Sequence, residues 1–236
     1  MIPKITVLLP HFHHRAYLAD AVQSIIDQTY QDWELLILDD EPAGSNIKIS
    51  RYATLDPRIK VFTSAVGVRM KQAFRLNQGI RFAKGKYIAF QDADDLSFPY
   101  RFAISVPYLD DGYDLIYGDK VFLYPDKQVY WKSPDWDKTK LHLRPMGCWG
   151  SYMVRTDIAE ENWFDENVGW GLDHLWEARF AVRDIKVARI PLPLYKQRTY
   201  SSMYRTCRIP VYRKIKRLKV KREINRKVKE IIYGHS

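Results

Sequence analysis

Lys86-Tyr87-Ile88-Ala89-Phe90-Gln91-Asp92-Ala93-Asp94-Asp95 is the stretch on which the fold turns. Tyr87 to Phe90 is aromatic or apolar, includes β-branched Ile88 and leaves a Gly85 turn, so it reads as a short buried strand. Three carboxylates then fall at the carboxyl end of that strand. In an open α/β sheet this is the end where ligands bind, and crowded aspartates repel one another unless a cation or hydrogen-bond donors compensate them. The pattern predicts a site for a divalent metal and a phosphate. The competing reading is that Asp94 or Asp95 merely caps the next helix.

Working outward, strand and helix alternate through the first hundred residues. Ile5 to Leu9 is a β-rich run stopped by Pro10, and apolar residues recur at helical spacing from Ala16 to Gln28. Trp33 to Leu38 predicts a second strand that ends in Asp39-Asp40-Glu41, so a second set of acids also lies at a strand's carboxyl end. A helix over 45–53, a strand over 59–62 and a helix over 70–83 lead into the opening stretch. This order predicts a mainly parallel central sheet flanked by helices. No G-x-G-x-x-G follows the first strand, which counts against an NAD-type site. Downstream, 98–109 reads as a helix, 114–117 as a strand and 120–131 as a hairpin. Periodicity weakens over 133–150, an aromatic and glycine-containing stretch that reads as a pocket wall or mobile loop. A strand over 151–154, helices over 157–162 and 172–183, and short strands near 186–190 and 194–198 complete the body.

At 236 residues and 46% hydrophobic content, the chain is long enough for a substantial core. No run reaches the ~18 apolar residues of a membrane span, and the amino terminus lacks a secretory leader, which predicts a cytoplasmic chain. Cys148 and Cys207 have no zinc spacing and imply no disulfide framework. The formal net charge of +10 is localised. From Arg205 onward there are twelve Lys and Arg against two Glu, leaving the rest of the chain neutral. The excess charge therefore marks an attachment or acceptor-guiding element.

Four motifs now stand in order: Ile5-Thr6-Val7-Leu8-Leu9-Pro10; Gln28-Thr29-Tyr30 through Trp33-Glu34-Leu35 to Asp39-Asp40; Asn77-x-Gly79 through Asp95; and Phe164-Asp165-Glu166 before Gly171-x-Asp173. Together they resemble the family 2 glycosyltransferases of GT-A fold, over residues 4 to 203. The resemblance implies an α/β, Rossmann-like domain at 1–203 with a basic helical extension at 204–236. It implies a nucleotide diphosphate sugar donor, commonly UDP-linked, and a Mn²⁺ or Mg²⁺ ion held by the D-x-D acids. By similarity, Asp39 meets the nucleobase with Asp40 nearby, and Lys71 contacts the diphosphate or base. Asp92 faces the ribose or metal, Asp94 is the main metal ligand, and Asp173 is the catalytic base of an inverting transfer. Pro10, His11 and Ala93 fall on the nucleotide-sugar side.

The residue types suit that chemistry. A diphosphate and nearby carboxylates need a hard, oxygen-liganded dication between them. The same ion neutralises charge on the leaving group, and a partly desolvated carboxylate can take the acceptor hydroxyl's proton. Two departures from the family pattern stand out. Leu172-Asp173 replaces the usual Glu-Asp, and Tyr195-Lys196-Gln197-Arg198 puts Arg198 where the family often has a metal-facing His. Either the metal has fewer protein ligands or Arg198 contacts the diphosphate, for which a guanidinium is well shaped.

Each assignment has a plainer rival. Asp39 and Asp40 also suit a turn before Pro42, Lys71 a solvated helix position, and Asp173 a helix N-terminus favoured by the dipole. His174 is the rival base and an acceptor-side residue. Trp149 and Trp170 suit sugar stacking or ordinary packing. His11, His13 and His14 border the nucleotide pocket or lie on the surface, without zinc-like partners. Asp95 reads as orienting the loop or capping the helix. The tail over 209–233 reads as a solvated helix, as an element adsorbing to an anionic membrane surface, or as one gripping nucleic acid. Acceptors therefore include a saccharide, a lipid-linked glycan and a hydroxylated base in DNA. An inactive protein that binds nucleotide or nucleic acid is the alternative of a different class.

Overall fold

The computed structural model describes residues 2–12, 15–41, 47–63, 71–141, 145–168, 171–199 and 211–234, with backbone alone at 47–48 and 211–221. Its first half is β1 (Ile5–His11), α1 (Arg15–Ile26), β2 (Trp33–Asp39), α2 (Ile47–Ser50), β3 (Ile59–Thr63), α3 (Gln72–Phe82) and β4 (Tyr87–Phe90). After it come β5 (Leu96–Ser97), α4 (Arg101–Asp110), β6 (Leu115–Leu123), β7 (Gln128–Trp131), β8 (Met153–Arg155), α5 (Thr156–Glu160), α6 (Leu172–Phe180), β9 (Val187–Arg198) and α7 (Val211–Tyr233). The strand order is β3-β2-β1-β4-β8-β6-β9-β5, with β7 paired to β6. The first four neighbours are parallel, so β1, β2 and β4 all end on the same edge.

Side-chain alternation along these strands divides the core into two layers. Leu8, Leu36, Leu38, Ile88 and Phe90 face α3, α6 and the second half of α7. Val7, Leu9, Leu35, Ile37, Tyr87 and Ala89 face α1 and α4. Ile224 and Val228 of α7 are buried in the first layer, so this part of the tail packs on the body.

Three elements differ from their sequence-based expectation. β1 runs through Pro10 to His11. Pro10 has the strand parity of Leu8, whose carbonyl accepts from Gln91 N–H at 3.0 Å, and β4 pairs no further than Leu8. Its missing donor therefore faces a side where the neighbouring strand has ended. The two short strands expected around Pro191 and Pro193 form one twelve-residue strand, whose pairing with β6 absorbs the prolines as irregularities at Gly118–Lys120. Likewise, 115–123 is a single strand, and its second half pairs with β7 as the expected hairpin.

The acidic stretch is held from beneath by Arg101, which is fully buried. Its guanidinium donates to the Phe90 carbonyl at 3.0 Å, the Tyr152 carbonyl at 3.1 Å and Ser97 Oγ at 2.9 Å. Gln91, also fully buried, donates to the carbonyls of Asp92 and Asp95 at 3.0 Å each and accepts from Ser97 Oγ at 2.7 Å. Together they fix the end of β4 and the turn that follows. Arg101→Met would leave two buried carbonyls without this donor. We expect it to destabilise the fold by about 3 kcal/mol, read as a lower urea midpoint at unchanged slope.

Candidate active site

The common edge of β1, β2 and β4 opens into a cleft of about 240 Å³. Pro10, His11, Asp40, Arg75, Asp92, Ala93, Asp94 and Arg198 all line it, so eight side chains from separate parts of the chain meet there. On the β1–β2 side, His11 Nδ1 donates to Asp39 Oδ1 at 2.9 Å, with both side chains fully buried. Asp39 is not among the lining residues; Asp40 is. Among the described residues, His11 Nε2 and Asp39 Oδ2 are buried without a hydrogen-bond partner, a polar surplus at the cleft wall.

Arg75 of α3 is a site residue that sequence reading passed over. It donates to the Asp39 carbonyl at 2.8 Å and approaches Asp40 Oδ1 at 3.5 Å while 2% exposed. The available signal was an arginine on the buried stripe of its helix beside Ala73, Leu76 and Ile80. Lys71, by contrast, precedes the helix and donates to the Glu166 carbonyl at 3.1 Å. Gln72 and Gln197 also line the cleft.

On the β4 side, the turn is closed by an Asp95 N–H to Asp92 carbonyl bond at 3.3 Å. β5 then pairs antiparallel with the end of β9 and brings Arg198 alongside. The Arg198 N–H donates to Asp95 Oδ1 at 2.7 Å, and its guanidinium donates to the Asp94 carbonyl at 3.1 Å and Asp20 Oδ2 at 2.6 Å. Asp95 is thus tied to β9 backbone. Asp92 accepts from Tyr195 O–H at 3.4 Å, and its own N–H donates to the same hydroxyl at 3.0 Å. Burial, then the charges of Asp94 and Asp173, push the Asp92 carboxyl up to about 8. Burial and the same crowding hold Asp95 well above the usual carboxylate range.

Asp173 lies in the first turn of α6, after Gly171 in the left-handed region at φ 73°. Its charge reaches Asp92, so the two acids share one electrostatic neighbourhood although they are distant in sequence. His174 is buried, with Nε2 against the Leu141 carbonyl. Trp149 stacks on Phe90, the last residue of β4, with centroids 4.3 Å apart, and meets Phe164 and Trp176 edge-on. Its buried indole N–H has no hydrogen-bond partner among the described residues. Trp170, His13 and His14 lie outside the described residues, as does Cys207. Asn77 joins α3 to the segment before α6: it donates to the Phe164 carbonyl at 3.1 Å and accepts from the Phe164 N–H at 2.8 Å.

Asp92 and Asp94 fit a divalent cation. They crowd each other at cost, and among the described residues no three His, Cys, Asp or Glu side chains form a metal cage on their own. A hard cation that completes its shell with ligand oxygens suits such an incomplete acidic set. No helix among the described residues is long and apolar enough to cross a membrane.

Comparison with known proteins agrees with this architecture. EpsE of Bacillus subtilis (strain 168) is 36% identical over 110 residues, covering 46% of this chain and 39% of EpsE. The UDP-Glc:alpha-D-GlcNAc-diphosphoundecaprenol beta-1,3-glucosyltransferase WfgD of Escherichia coli is 25% identical over 142 residues, 53% of each chain. The chain thus spans about half or less of the length of these relatives. Among solved structures, the mannosyltransferase PcManGT from Pyrobaculum calidifontis, in complex with GDP-Man and Mn²⁺, superposes with a TM-score of 0.68 at 18% identity, covering 97% of this chain and 70% of that one. It shares the fold. The family model for glycosyl transferase family 2 matches residues 6–159, and this chain belongs to that family.

Proposed function

We propose that the chain transfers a sugar from a nucleotide diphosphate sugar, with a UDP-sugar favoured, to an acceptor hydroxyl by a single inverting displacement. The observation that carries this reading is the placement of Asp92 and Asp94 in the cleft at the end of β4, with Asp173, which does not line the cleft, near enough for its charge to act on Asp92. Separation of labour follows from position. His11, Asp40 and Arg75 form the nucleoside side with Asp39 behind His11, and His11 Nε2 and Asp39 Oδ2 are buried there without a hydrogen-bond partner among the described residues. Lys71, at the mouth of α3, and Arg198, at the end of β9, lie on the diphosphate side. Asp92 and Asp94 would hold Mn²⁺ or Mg²⁺. What a dication supplies there is neutralisation of charge growing on the departing nucleoside diphosphate. Support for a metal also comes from the Mn²⁺ of PcManGT.

Asp173 takes the proton of the attacking hydroxyl. The new bond forms at the anomeric carbon opposite the breaking bond to the diphosphate, which leaves with its electron pair, so the configuration inverts. Acceptor contacts fall to Trp149 and Trp170, whereas His174 is buried against the Leu141 carbonyl. The acceptor we favour is a saccharide or a lipid-linked glycan, as in the acceptor that WfgD's name describes. The basic extension at 204–236 guides an anionic acceptor or surface, with its second half seated on α6.

Asp94→Ala and Asp173→Asn should each lower transfer by about 10²–10⁴-fold, measured as product formed in a screen of nucleotide-sugar donors against saccharide, lipid-linked and hydroxymethylated DNA acceptors. Product with retained anomeric configuration by NMR would remove Asp173 from the role of base. A second expectation concerns pH. Asp92 has a folded pKa raised above its unfolded value of 3.8, so between about 4 and about 8 the unfolded state binds fewer protons. The stability tied to its protonated form is full below about 4 and is lost as pH rises through about 8. In chelator, Asp92→Asn should therefore gain melting temperature over wild type progressively across that window and gain nothing below it.

A further inference from the structure

Glu177 lies one helical turn beyond Asp173 on α6, so the two residues share a helix face; Glu177 is fully buried, and neither residue lines the cleft. It accepts the Met146 N–H at 2.9 and 3.0 Å, the Gly147 N–H at 3.2 Å and the Tyr152 hydroxyl. The Gly147 N–H also reaches the Tyr152 oxygen at 2.7 Å. These donors converge on one carboxyl group and gather the start of the 145–152 segment against α6. Burial pushes Glu177 up to about 8 while Tyr152 and the two backbone donors pull it down, so the site holds an acid against its desolvation.

The same segment continues through the tight turn Trp149–Ser151, closed by Ser151 Oγ on the Cys148 carbonyl at 2.7 Å. Gly150 in that turn rests on the Tyr195 ring: a β-carbon there would lie 1.9 Å from Tyr195 Cζ. Tyr195 in turn contacts Asp92 through its hydroxyl. A continuous path of hydrogen bonds and one ring contact thus joins the helix of Asp173 to the acid at the end of β4.

We propose that Glu177 is a positioning residue that sets the separation between Asp173 and Asp92 by pinning α6 to the turn that seats Tyr195. The proposal rests on the reading of Asp173 as base and adds what holds it at its working distance. A residue needed merely to fill the core would do as well with an apolar side chain. A carboxylate with three converging donors instead selects one arrangement of the turn, and displacement of about 1 Å at a reacting centre costs about 10²-fold in rate.

The test uses the full chain with Mn²⁺ and a panel of UDP-glucose, UDP-galactose, UDP-GlcNAc and GDP-mannose, following hydrolysis of the donor turned over fastest. In Glu177→Gln an amide NH₂ replaces one accepting oxygen. Its kcat should fall about 10²-fold with the donor KM and UDP affinity within about twofold of wild type, and crystal structures should show the Asp173–Asp92 separation changed by about 1 Å. Tyr152→Phe keeps the ring and removes one donor, and should shift kcat in the same direction by about threefold; it carries the test if Glu177→Gln does not fold. Unchanged kcat and an unchanged separation in the folded variants overturn the positioning role. Asp173→Asn runs alongside: undiminished hydrolysis there overturns the base reading, whereas loss there with no effect at Glu177 overturns the positioning role alone.

Discussion

Carboxylates crowded at one buried strand end repel one another, and the rest of this structure is arranged around tolerating that repulsion. Arg101 supplies a fully buried positive charge below the turn, at the cost of a guanidinium pKa lowered to about 10 by desolvation. Arg198 supplies a second guanidinium from the far end of the chain, and Gln91 ties the turn's carbonyls from within. Arg101 donates to the Phe90 carbonyl and Arg198 to the Asp94 carbonyl, so both act on the backbone that frames the acids. The loop's shape is thereby fixed. A fixed loop suits the proposed binding of a cation and a diphosphate, because ligands held in place beforehand require little reorganisation when charge develops.

Much of the parallel half of the sheet was legible in the sequence, because strands buried on both faces read as unbroken apolar runs and their flanking helices keep a 3.6-residue period. The acids at the ends of β2 and β4 were legible for the same reason: an apolar run shows where a strand stops, and topology says what that edge is for. Pro10, Pro191 and Pro193 misled because a proline's effect depends on which side of the strand its missing N–H faces, and that depends on neighbours distant in sequence. Arg75 and Glu177 were hidden for a different reason. Both are ionisable residues held in part by backbone groups, the Asp39 carbonyl for Arg75 and the Met146 and Gly147 N–H groups for Glu177, and a backbone N–H or carbonyl has no residue type to read. Arg75 at least breaks an apolar stripe. Glu177 follows Trp176 in a helix of weak amphipathicity, and the stretch it holds, around Met146, is the one where periodicity fades.

Two of the family's motif residues serve the frame rather than the cleft. Glu34 accepts from Thr6 at 2.7 Å and from the Lys84 N–H at 2.9 Å, fastening the Lys84–Gly85 turn that launches β4. Asn77 ties α3 to the Phe164–Glu166 segment that leads to α6. Each links an element of the nucleotide half to one that governs where an acid stands. A motif read as chemistry is therefore partly a record of how the chemistry is held.

Arg198 concentrates the remaining tension in the site. A histidine at that position could ligate a metal through a neutral ring nitrogen, whereas a guanidinium keeps its proton and cannot. Its positive charge next to the Asp94 carbonyl would repel a dication in the same place while favouring the diphosphate that such a dication bridges. The balance is set by Asp20, which binds the guanidinium from α1 at 2.6 Å and offsets part of its charge. Asp20 is largely exposed, so its effect is screened by solvent. In the proposed reading Asp92 and Asp94 would hold the cation, which would neutralise charge on the diphosphate, and Arg198 would add a fixed positive charge beside it.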